Sequence, residues 1–370
     1  MPIQFSVNIN AEQQAQLEQI FKNFQHPSLQ KDLIALSAVK KIEKGGDVLR
    51  IELQMPFAWN TAFEQAKAEL SPALLLTTDA KEIKWSLHYQ IATLKRANNH
   101  PAVKGVKNII AVTSGKGGVG KSTTSVNLAL ALQAQGAKVG LLDADIYGPS
   151  IPHMLGAADQ RPTSPDNQHI DAVIAYGLQT NSIGYLMDAN NATIWRGPMA
   201  SSALNQLLNE TLWNELDYLV IDMPPGTGDI QLTLSQQIPV TGAIVVTTPQ
   251  DIALLDAVKG ISMFERVSVP VLGIVENMSM HICSNCGHHE PIFGTGGAEK
   301  IAGQYGVKVL GQLPLHICLR EDLDKGTPTM ISNSNEEIRQ AYLQLAEKVA
   351  SELYWQGSVI PSEIMFREVK

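Results

Sequence analysis

The chain has 370 residues, 44% of them hydrophobic, which is enough for two domains with cores of their own. Its net charge of −8 argues against a general nucleic-acid-binding protein, and three cysteines do not make a disulfide framework. No apolar run approaches the length of a bilayer span, and the first residues lack a basic stretch followed by an apolar one. We therefore expect a cytoplasmic protein with neither a membrane nor a nucleic acid as its partner.

The first 92 residues predict a small α+β domain without a cluster of chemically reactive residues. Apolar spacing predicts helices over 11–24 and 61–70 and strands over 33–42, 48–54 and 83–88. Residues 93–107 are polar and basic, which favours a solvated linker over a docking segment.

From residue 108 onward strands and helices alternate, which is typical of a doubly wound, mostly parallel sheet. Six strands are predicted, over 108–114, 139–143, 216–222, 242–247, 271–275 and 308–311. The sequence thus predicts an α/β fold in which a P-loop NTPase domain, residues 108–370, follows the small α+β domain. Ligands of such sheets bind at the carboxyl ends of the strands.

A glycine-rich stretch stands between the first of these strands and a helix predicted over 124–132. It satisfies every position of the Walker A pattern, whose backbone N–H groups surround a polyphosphate at the positive end of a helix. Lys121 would reach the terminal phosphates and Ser122 would place its hydroxyl on Mg²⁺, so the motif predicts ATP as ligand. The nucleotide-binding candidates are Gly115, Lys116, Gly117, Gly118, Val119, Gly120, Lys121, Ser122 and Thr123.

Carboxylates end two of the predicted strands. Asp222 is followed by Met-Pro-Pro-Gly-Thr-Gly-Asp229, in which a carboxylate can hold Mg²⁺ through water and the glycines can move when the γ-phosphate leaves. Asp143 and Asp145 close the strand over 139–143, where the alternative is a cap on the next helix. Because phosphoryl transfer needs positioning and charge neutralisation rather than a covalent nucleophile, these parts favour ATP hydrolysis.

Lys116 makes the glycine-rich stretch resemble the deviant Walker A motif of the family that contains MinD, the ParA partition ATPases and the nitrogenase iron protein. The resemblance implies a nucleotide-dependent homodimer in which Lys116 reaches the partner's nucleotide. It also implies that Asp145 positions the attacking water with support from Asp143, and that Asn277, after the strand over 271–275, contacts adenine. The catalytic candidates are Lys116, Lys121, Asp145 and Asp222.

Cys283 and Cys286 form a CxxC pair in a loop-like stretch, and two thiolates at this spacing can chelate one soft metal centre. A closed site needs four ligands, and the chain has no second CxxC. The same pair from a second subunit would complete a bridging [4Fe-4S] cluster. An intrachain zinc site that uses histidines and a redox-active dithiol remain open, and we expect Cys318 to be a small buried apolar residue.

Three further segments, Leu141–Ser150, Trp195–Met199 and Thr248–Asp251, complete a resemblance to the Mrp/ApbC iron-sulfur cluster carrier proteins. That resemblance implies an ATPase that receives a labile [4Fe-4S] cluster from an assembly scaffold and transfers it to apo-proteins. More weakly, the front domain resembles the small domain of iron-sulfur assembly factors of the MIP18 type. Residues 57–60 replace the usual cysteine there, which favours a role in protein contact or regulation.

The alternative function is a positioning ATPase of the MinD or ParA type whose CxxC holds structural zinc. A membrane-cycling version would end in a basic amphipathic helix. Residues 336–355 instead carry one apolar stripe among glutamates, which predicts a helix packed on the core.

Overall fold

The structure is a computed structural model that describes residues 3–97, 100–187 and 197–361. The front unit has four strands in the order β1-β2-β3-β4, of which only β2 and β3 are antiparallel, and two helices. Its elements are β1 (Gln4–Phe5), α1 (Ala11–Asn23), β2 (Val39–Gly45), β3 (Val48–Met55), α2 (Asn60–Thr78) and β4 (Glu82–Tyr89). This is the small α+β arrangement expected from the sequence.

The strand predicted over 33–42 begins only at Val39, so its first six residues were assigned wrongly. The carboxylate of Asp32 accepts hydrogen bonds from the backbone N–H groups of Ile34 and Ala35. This local contact folds the segment into a turn instead of a strand.

The helix predicted over 61–70 is longer, since α2 continues through Pro72 to Thr78. Leu70, Leu74 and Thr78 bury one face of the added turns. That burial offsets the cost of a proline inside a helix, which sequence propensity alone would have treated as an end.

The second unit is a doubly wound sheet in the order β14-β13-β12-β5-β11-β6-β9-β8, with β15 also paired to β13. Its pairs are parallel except β8 with β9 and β13 with β14. Its elements are β5 (Val106–Thr113), α3 (Lys121–Ala134), β6 (Val139–Asp143), α4 (Ile151–Met154), β7 (Ile170–Asp171), β8 (Val173–Ala175), β9 (Leu178–Ser182), α5 (Gly197–Asn209), β10 (Thr211–Leu212), β11 (Leu216–Asp222), α6 (Asp229–Gln237), β12 (Gly242–Thr247), α7 (Asp251–Arg266), β13 (Val271–Ile282), β14 (His289–Glu290), α8 (Gly297–Tyr305), β15 (Val309–Leu315), α9 (Ile317–Asp324), α10 (Thr329–Ser332) and α11 (Glu336–Gln356). The predicted fold class is confirmed.

The strands β6, β11 and β12 have the predicted bounds, because each is a continuous apolar run buried on both faces. The strand predicted over 271–275 runs on to Ile282, so Asn277 lies inside β13 and the cysteine pair follows it directly. The last strand extends to Leu315 instead of ending at 311. Neither the short strands β7, β8 and β9 nor β14 was predicted.

The front unit packs directly on the second unit. Residues 57–59 are fully buried, and the backbone N–H groups of Trp59 and Asn60 donate to the carbonyl of Gln135 at the end of α3. The ring of Phe57 lies 5.3 Å from that of Tyr354 on α11. Residues 57–60 therefore form part of the contact between the two units.

The connector also packs against the second unit. Leu94, Ala97 and Val103 are buried, and Leu94 forms a β-bridge with Val359 near the end of the described chain. The domain boundaries themselves stay a prediction.

α11 packs against α3 and β15 with its apolar stripe buried, as the sequence predicted. None of the helices in the described ranges is both long and apolar enough to cross a membrane.

Candidate functional site

The glycine-rich loop connects the end of β5 with the start of α3 at the carboxyl edge of the sheet. Gly118 and Gly120 have φ angles of 81° and 82°, a left-handed conformation that favours glycine. A Cβ atom on Gly115 would lie 2.1 Å from the carbonyl oxygen of Asp256 on α7. The loop thus has glycines at positions where the backbone conformation and close packing require them, and the N-terminus of α3 follows it directly.

Lys121, Ser122 and Asp222 meet beneath this loop. Lys121 Nζ lies 2.8 Å from Asp222 Oδ1, and Ser122 Oγ donates to Asp222 Oδ2 at 2.6 Å. Ser125 Oγ donates to Asp222 Oδ1 at 2.7 Å. Hydroxyl and carboxylate oxygens are the hard ligands that Mg²⁺ prefers, so Ser122 and Asp222 fit a magnesium site.

Ser125 was not among the sequence candidates. It lies three residues after Ser122 and therefore on the same face of α3. The repeated hydroxyl residues of Ser122–Ser125 were the available signal, since two of them at this spacing can reach one carboxylate.

Asp143 and Asp145 have different environments. The carboxylate of Asp143 is fully buried and accepts from the backbone N–H groups of Asp145 and Ile151, at 3.1 and 3.2 Å, and from Ser182 Oγ at 3.0 Å. Burial raises the pKa of Asp143, and the nearby charge of Asp222 raises it further. Asp143 therefore positions the loop that follows β6.

Asp145 is half-buried in that loop. Burial raises its pKa, and the charge of Lys121 opposes the shift. The carboxylate is thus close enough to Lys121 and Asp222 for their charges to affect its pKa.

The loop after β11 is tied to the glycine-rich loop. The backbone N–H of Gly226, which has a φ of 101°, donates to the carbonyl of Ser114 at 2.9 Å. The N–H of Ala144 donates to the carbonyl of Asp222, also at 2.9 Å. These two hydrogen bonds connect the segments that follow β5, β6 and β11. Of the segment Trp195–Met199, residues 195 and 196 lie outside the described residues.

Asn277 is buried at the inner wall of a cavity of about 230 Å³ beside the start of α3. Its Nδ2 donates to the carbonyl of Val119 in the glycine-rich loop at 2.9 Å. Leu319 and Arg320 on α9, together with His316 just before this helix, form a further wall of the cavity. Sequence reasoning missed this wall, although it follows the exit of β15, where ligands of such sheets bind.

The cysteine pair occupies the turn of a β-hairpin formed by β13 and β14. The backbone N–H of Cys283 donates to the carbonyl of His288, and that of Gly287 donates to the carbonyl of Cys283, both at 2.9 Å. Cys286 is exposed and Cys283 is partly exposed. Hydrogen bonds from the backbone of Asn285 and Cys286 lower the pKa of Cys283, which favours the thiolate needed to bind metal.

The described residues of one chain bring too few ligands together for a closed metal site. Within the part of the chain that the structure describes, no three His, Cys, Asp or Glu side chains are arranged to hold a metal ion. His289 lies beside Glu337, at 3.4 Å, and Cys318 is half-buried on α9, where burial raises its pKa. The intrachain zinc alternative therefore gains no support from these residues, and the hairpin offers two sulfur ligands.

Comparisons with known proteins agree with this combination of sites. A family model described as ParA, NUBPL iron-transfer P-loop NTPase, matches residues 105–350. The chain is 78% identical over 370 residues, the full length of both, to an iron-sulfur cluster carrier protein of Haemophilus influenzae. It is 50% identical over 253 residues to the iron-sulfur cluster transfer protein NUBPL of Mus musculus, covering 68% of this chain and 79% of that protein. A solved structure of a nucleotide-binding protein from Archaeoglobus fulgidus, in complex with ADP, is 38% identical in sequence and has a TM-score of 0.54. The match covers 60% of this chain and 88% of that one.

Proposed function

Because this chain belongs to the ParA/NUBPL family of iron-transfer P-loop NTPases, we propose that it holds a [4Fe-4S] cluster between two subunits and uses ATP hydrolysis to pass the cluster to apo-proteins. Its relatives make it an iron-sulfur cluster carrier rather than a positioning ATPase, and the predicted likeness to the Mrp/ApbC carriers is confirmed. The observation that carries the finer proposal is the accessible Cys283 and Cys286 turn, which supplies two of the four ligands that such a cluster needs.

A homodimer would supply the other two thiolates around a two-fold axis. Ile252 and Leu255 on α7 are 71% and 65% exposed, beside the Asp256 backbone that touches Gly115. Apolar side chains exposed together beside a nucleotide site favour a protein interface there. In this dimer Lys116 reaches the partner's nucleotide, as the resemblance to the deviant Walker A family implies.

The nucleotide site divides its work among residues already close together. In our proposal Lys121 exchanges Asp222 for the terminal phosphates, Ser122 and Asp222 hold Mg²⁺, and Asp145 orients the attacking water. The metal neutralises charge on the phosphates. Asn277 and the adjoining cavity take the adenine.

The partners follow from the chemistry of the cargo. The acceptors are apo forms of iron-sulfur proteins, and the donor is an assembly scaffold that builds the cluster. A cytoplasmic location, where thiols stay reduced, remains a prediction.

The test compares cluster transfer with ATP hydrolysis. Protein loaded anaerobically with cluster is mixed with an apo-[4Fe-4S] protein, with and without MgATP, for the wild type and for Asp145→Asn. We expect Asp145→Asn to lose roughly 100-fold in hydrolysis rate, a typical value for a lost acid-base residue, and to lose the effect of ATP on transfer. Asp159→Asn, which removes an exposed carboxylate outside the site, is the control; it should keep both the hydrolysis rate and the effect of ATP on transfer. Transfer that responds to ATP equally in Asp145→Asn would refute the coupling, and absence of cluster from the wild type would refute the carrier.

A further inference from the structure

A single strand, β13, connects the nucleotide site to the cysteine turn. Asn277 lines the nucleotide cavity, and Cys283 follows the end of the same strand six residues later. At the rise of an extended strand this separation is at most about 20 Å. A short and direct path therefore connects the two sites.

At the nucleotide end, β13 is locked to the glycine-rich loop. Asn277 Nδ2 donates to the carbonyl of Val119, and a Cβ atom on Gly120 would lie only 2.1 Å from that nitrogen. The two segments are in contact and share a hydrogen bond. A change in the loop on binding phosphates is therefore transmitted to Asn277.

Between Asn277 and the cysteine turn the strand has a pronounced irregularity. Met278 has a φ of 57°, a left-handed conformation that is rare for a long side chain. Pairing with β15 moves from Asn277 opposite Leu313 to His281 opposite Leu315, four residues along β13 against two along β15. Two extra residues therefore bulge out of the ladder, and conformations of this kind cluster at functional sites.

The bulge contacts both the nucleotide cavity and the neighbouring strand β15. Met278 lines the cavity, and its Cε lies 3.8 Å from where a Cβ on Gly120 would be. Ser279 Oγ donates to the carbonyl of Leu313 at 3.1 Å, which fixes the bulge to β15. Since the residues inside the bulge lack regular ladder partners, they can rearrange while the pairs on either side stay formed.

We propose that Asn277 and Met278 are positioning residues that transmit nucleotide occupancy to the cysteine turn through the bulge of β13. Nucleotide bound against Met278 and the loop shifts the bulge, and the hairpin beyond it changes how it presents Cys283 and Cys286. This inference rests on the proposed function, to which it adds the route between the two sites.

The test needs no cluster, because the reactivity of each thiol reports the conformation of the turn. Reduced full-length protein is alkylated with iodoacetamide, with and without saturating MgADP, and labelling of Cys283, Cys286 and Cys318 is followed separately by peptide mass. In the wild type we expect MgADP to change the rate at Cys283 or Cys286 at least threefold. In Asn277→Ala and in Met278→Gly, which accepts the left-handed conformation, the change should fall below 1.5-fold.

Asn23→Ala is the matched control, because Asn23 is an exposed asparagine on α1 of the front unit and belongs neither to the cavity lining nor to β13. It should keep the wild-type response once MgADP is saturating, with saturation verified for every variant by titration. A full MgADP-dependent change in alkylation rate in both β13 variants would overturn the proposed route. So would a wild type in which MgADP does not change the alkylation of Cys283 or Cys286. Either result leaves the proposed function standing, since cluster binding and transfer are measured separately.

Discussion

At the scale of single residues, the contact between the two units contains a buried acid that the nucleotide chemistry does not use. Glu347 on α11 is 8% exposed, and its Oε1 lies 3.5 Å from His26 Nδ1 of the front unit. Ser28 Oγ bonds to both His26 Nδ1 and Trp59 Nε1, at 2.7 Å each. Burial raises the pKa of Glu347 to about 7 and lowers that of His26, so both groups favour their neutral forms.

The raised pKa of Glu347 predicts a pH-dependent loss of stability. Unfolded, the carboxyl ionises near its ordinary value of 4.5, whereas the folded protein keeps its proton up to about pH 7. Its contribution is fully present below pH 4.5 and is lost as the pH rises through 7. Glu347→Gln, which cannot ionise, should therefore match the wild type at pH 4.5 and exceed it at pH 8. The ceiling on the gain in free energy of unfolding is roughly 3 kcal/mol, at about 1.4 kcal/mol per pKa unit.

Urea unfolding of the two proteins at both pH values measures this difference. The exposed Glu64→Gln is the control and should show no pH-dependent gain. An equal difference between Glu347→Gln and the wild type at both pH values would show that Glu347 ionises normally in the folded protein.

Most residues of the candidate site could be assigned from the sequence because their chemistry is tied to local spacing. The glycine-rich loop and Asp222 belong to patterns a few residues long, next to strands of plain apolar character. Ser125 and the α9 wall escaped notice because their roles depend on what lies opposite them in the fold. The role of Asn277 as a contact of the loop, through Val119, was hidden for the same reason.

At the scale of elements, α3 links the nucleotide site to the front unit. It begins at the glycine-rich loop and ends at Ala134, and the next residue, Gln135, caps the helix and is fully buried. Gln135 Oε1 accepts from the N–H of Thr61, and its Nε2 donates to Thr61 Oγ1 and to the carbonyl of Leu343, at 2.8 to 3.0 Å. One side chain thus joins α2, α3 and α11.

Gln135→Ala should lower the free energy of unfolding by about 2 kcal/mol, because it removes three hydrogen bonds and leaves the partly buried N–H of Thr61 without its acceptor. Thermal or urea unfolding measures the loss. Gln133→Ala, at a half-exposed position two residues earlier, is the matched control and should stay within about 0.5 kcal/mol of the wild type. A Gln135→Ala protein as stable as this control would mean that the three hydrogen bonds do not hold the units together.

The central strands could be predicted and the edge of the sheet could not. β6, β11 and β12 are continuous apolar runs ending at polar residues, which gives clear bounds. The second half of β13, Glu276–Ile282, is more polar than the apolar run before it, and its strand conformation depends on pairing with β14 and β15. A bulge whose partner strand lies about 35 residues away along the chain leaves no local signature.

At the scale of the whole molecule, the two kinds of site are joined through one continuous body. The front unit rests on the ends of α3 and α11, and the cysteine hairpin is the end of a strand from the central sheet. How the front unit docks could not be predicted, because Phe57 meets Tyr354 from nearly 300 residues away in sequence. In our proposal a single chain is incomplete as a cluster site, and two chains are sufficient.

That claim is tested most directly by reconstituting the protein anaerobically with iron and sulfide and measuring iron, acid-labile sulfide and zinc per chain, together with the mass in solution. A [4Fe-4S] cluster bridged by two chains predicts about four iron and four sulfide per dimer. Cys283→Ala/Cys286→Ala should bind none, and Cys318→Ala, the control for the remaining thiol, should bind as the wild type does. One zinc per monomer, or iron bound equally well without Cys283 and Cys286, would contradict the bridged cluster.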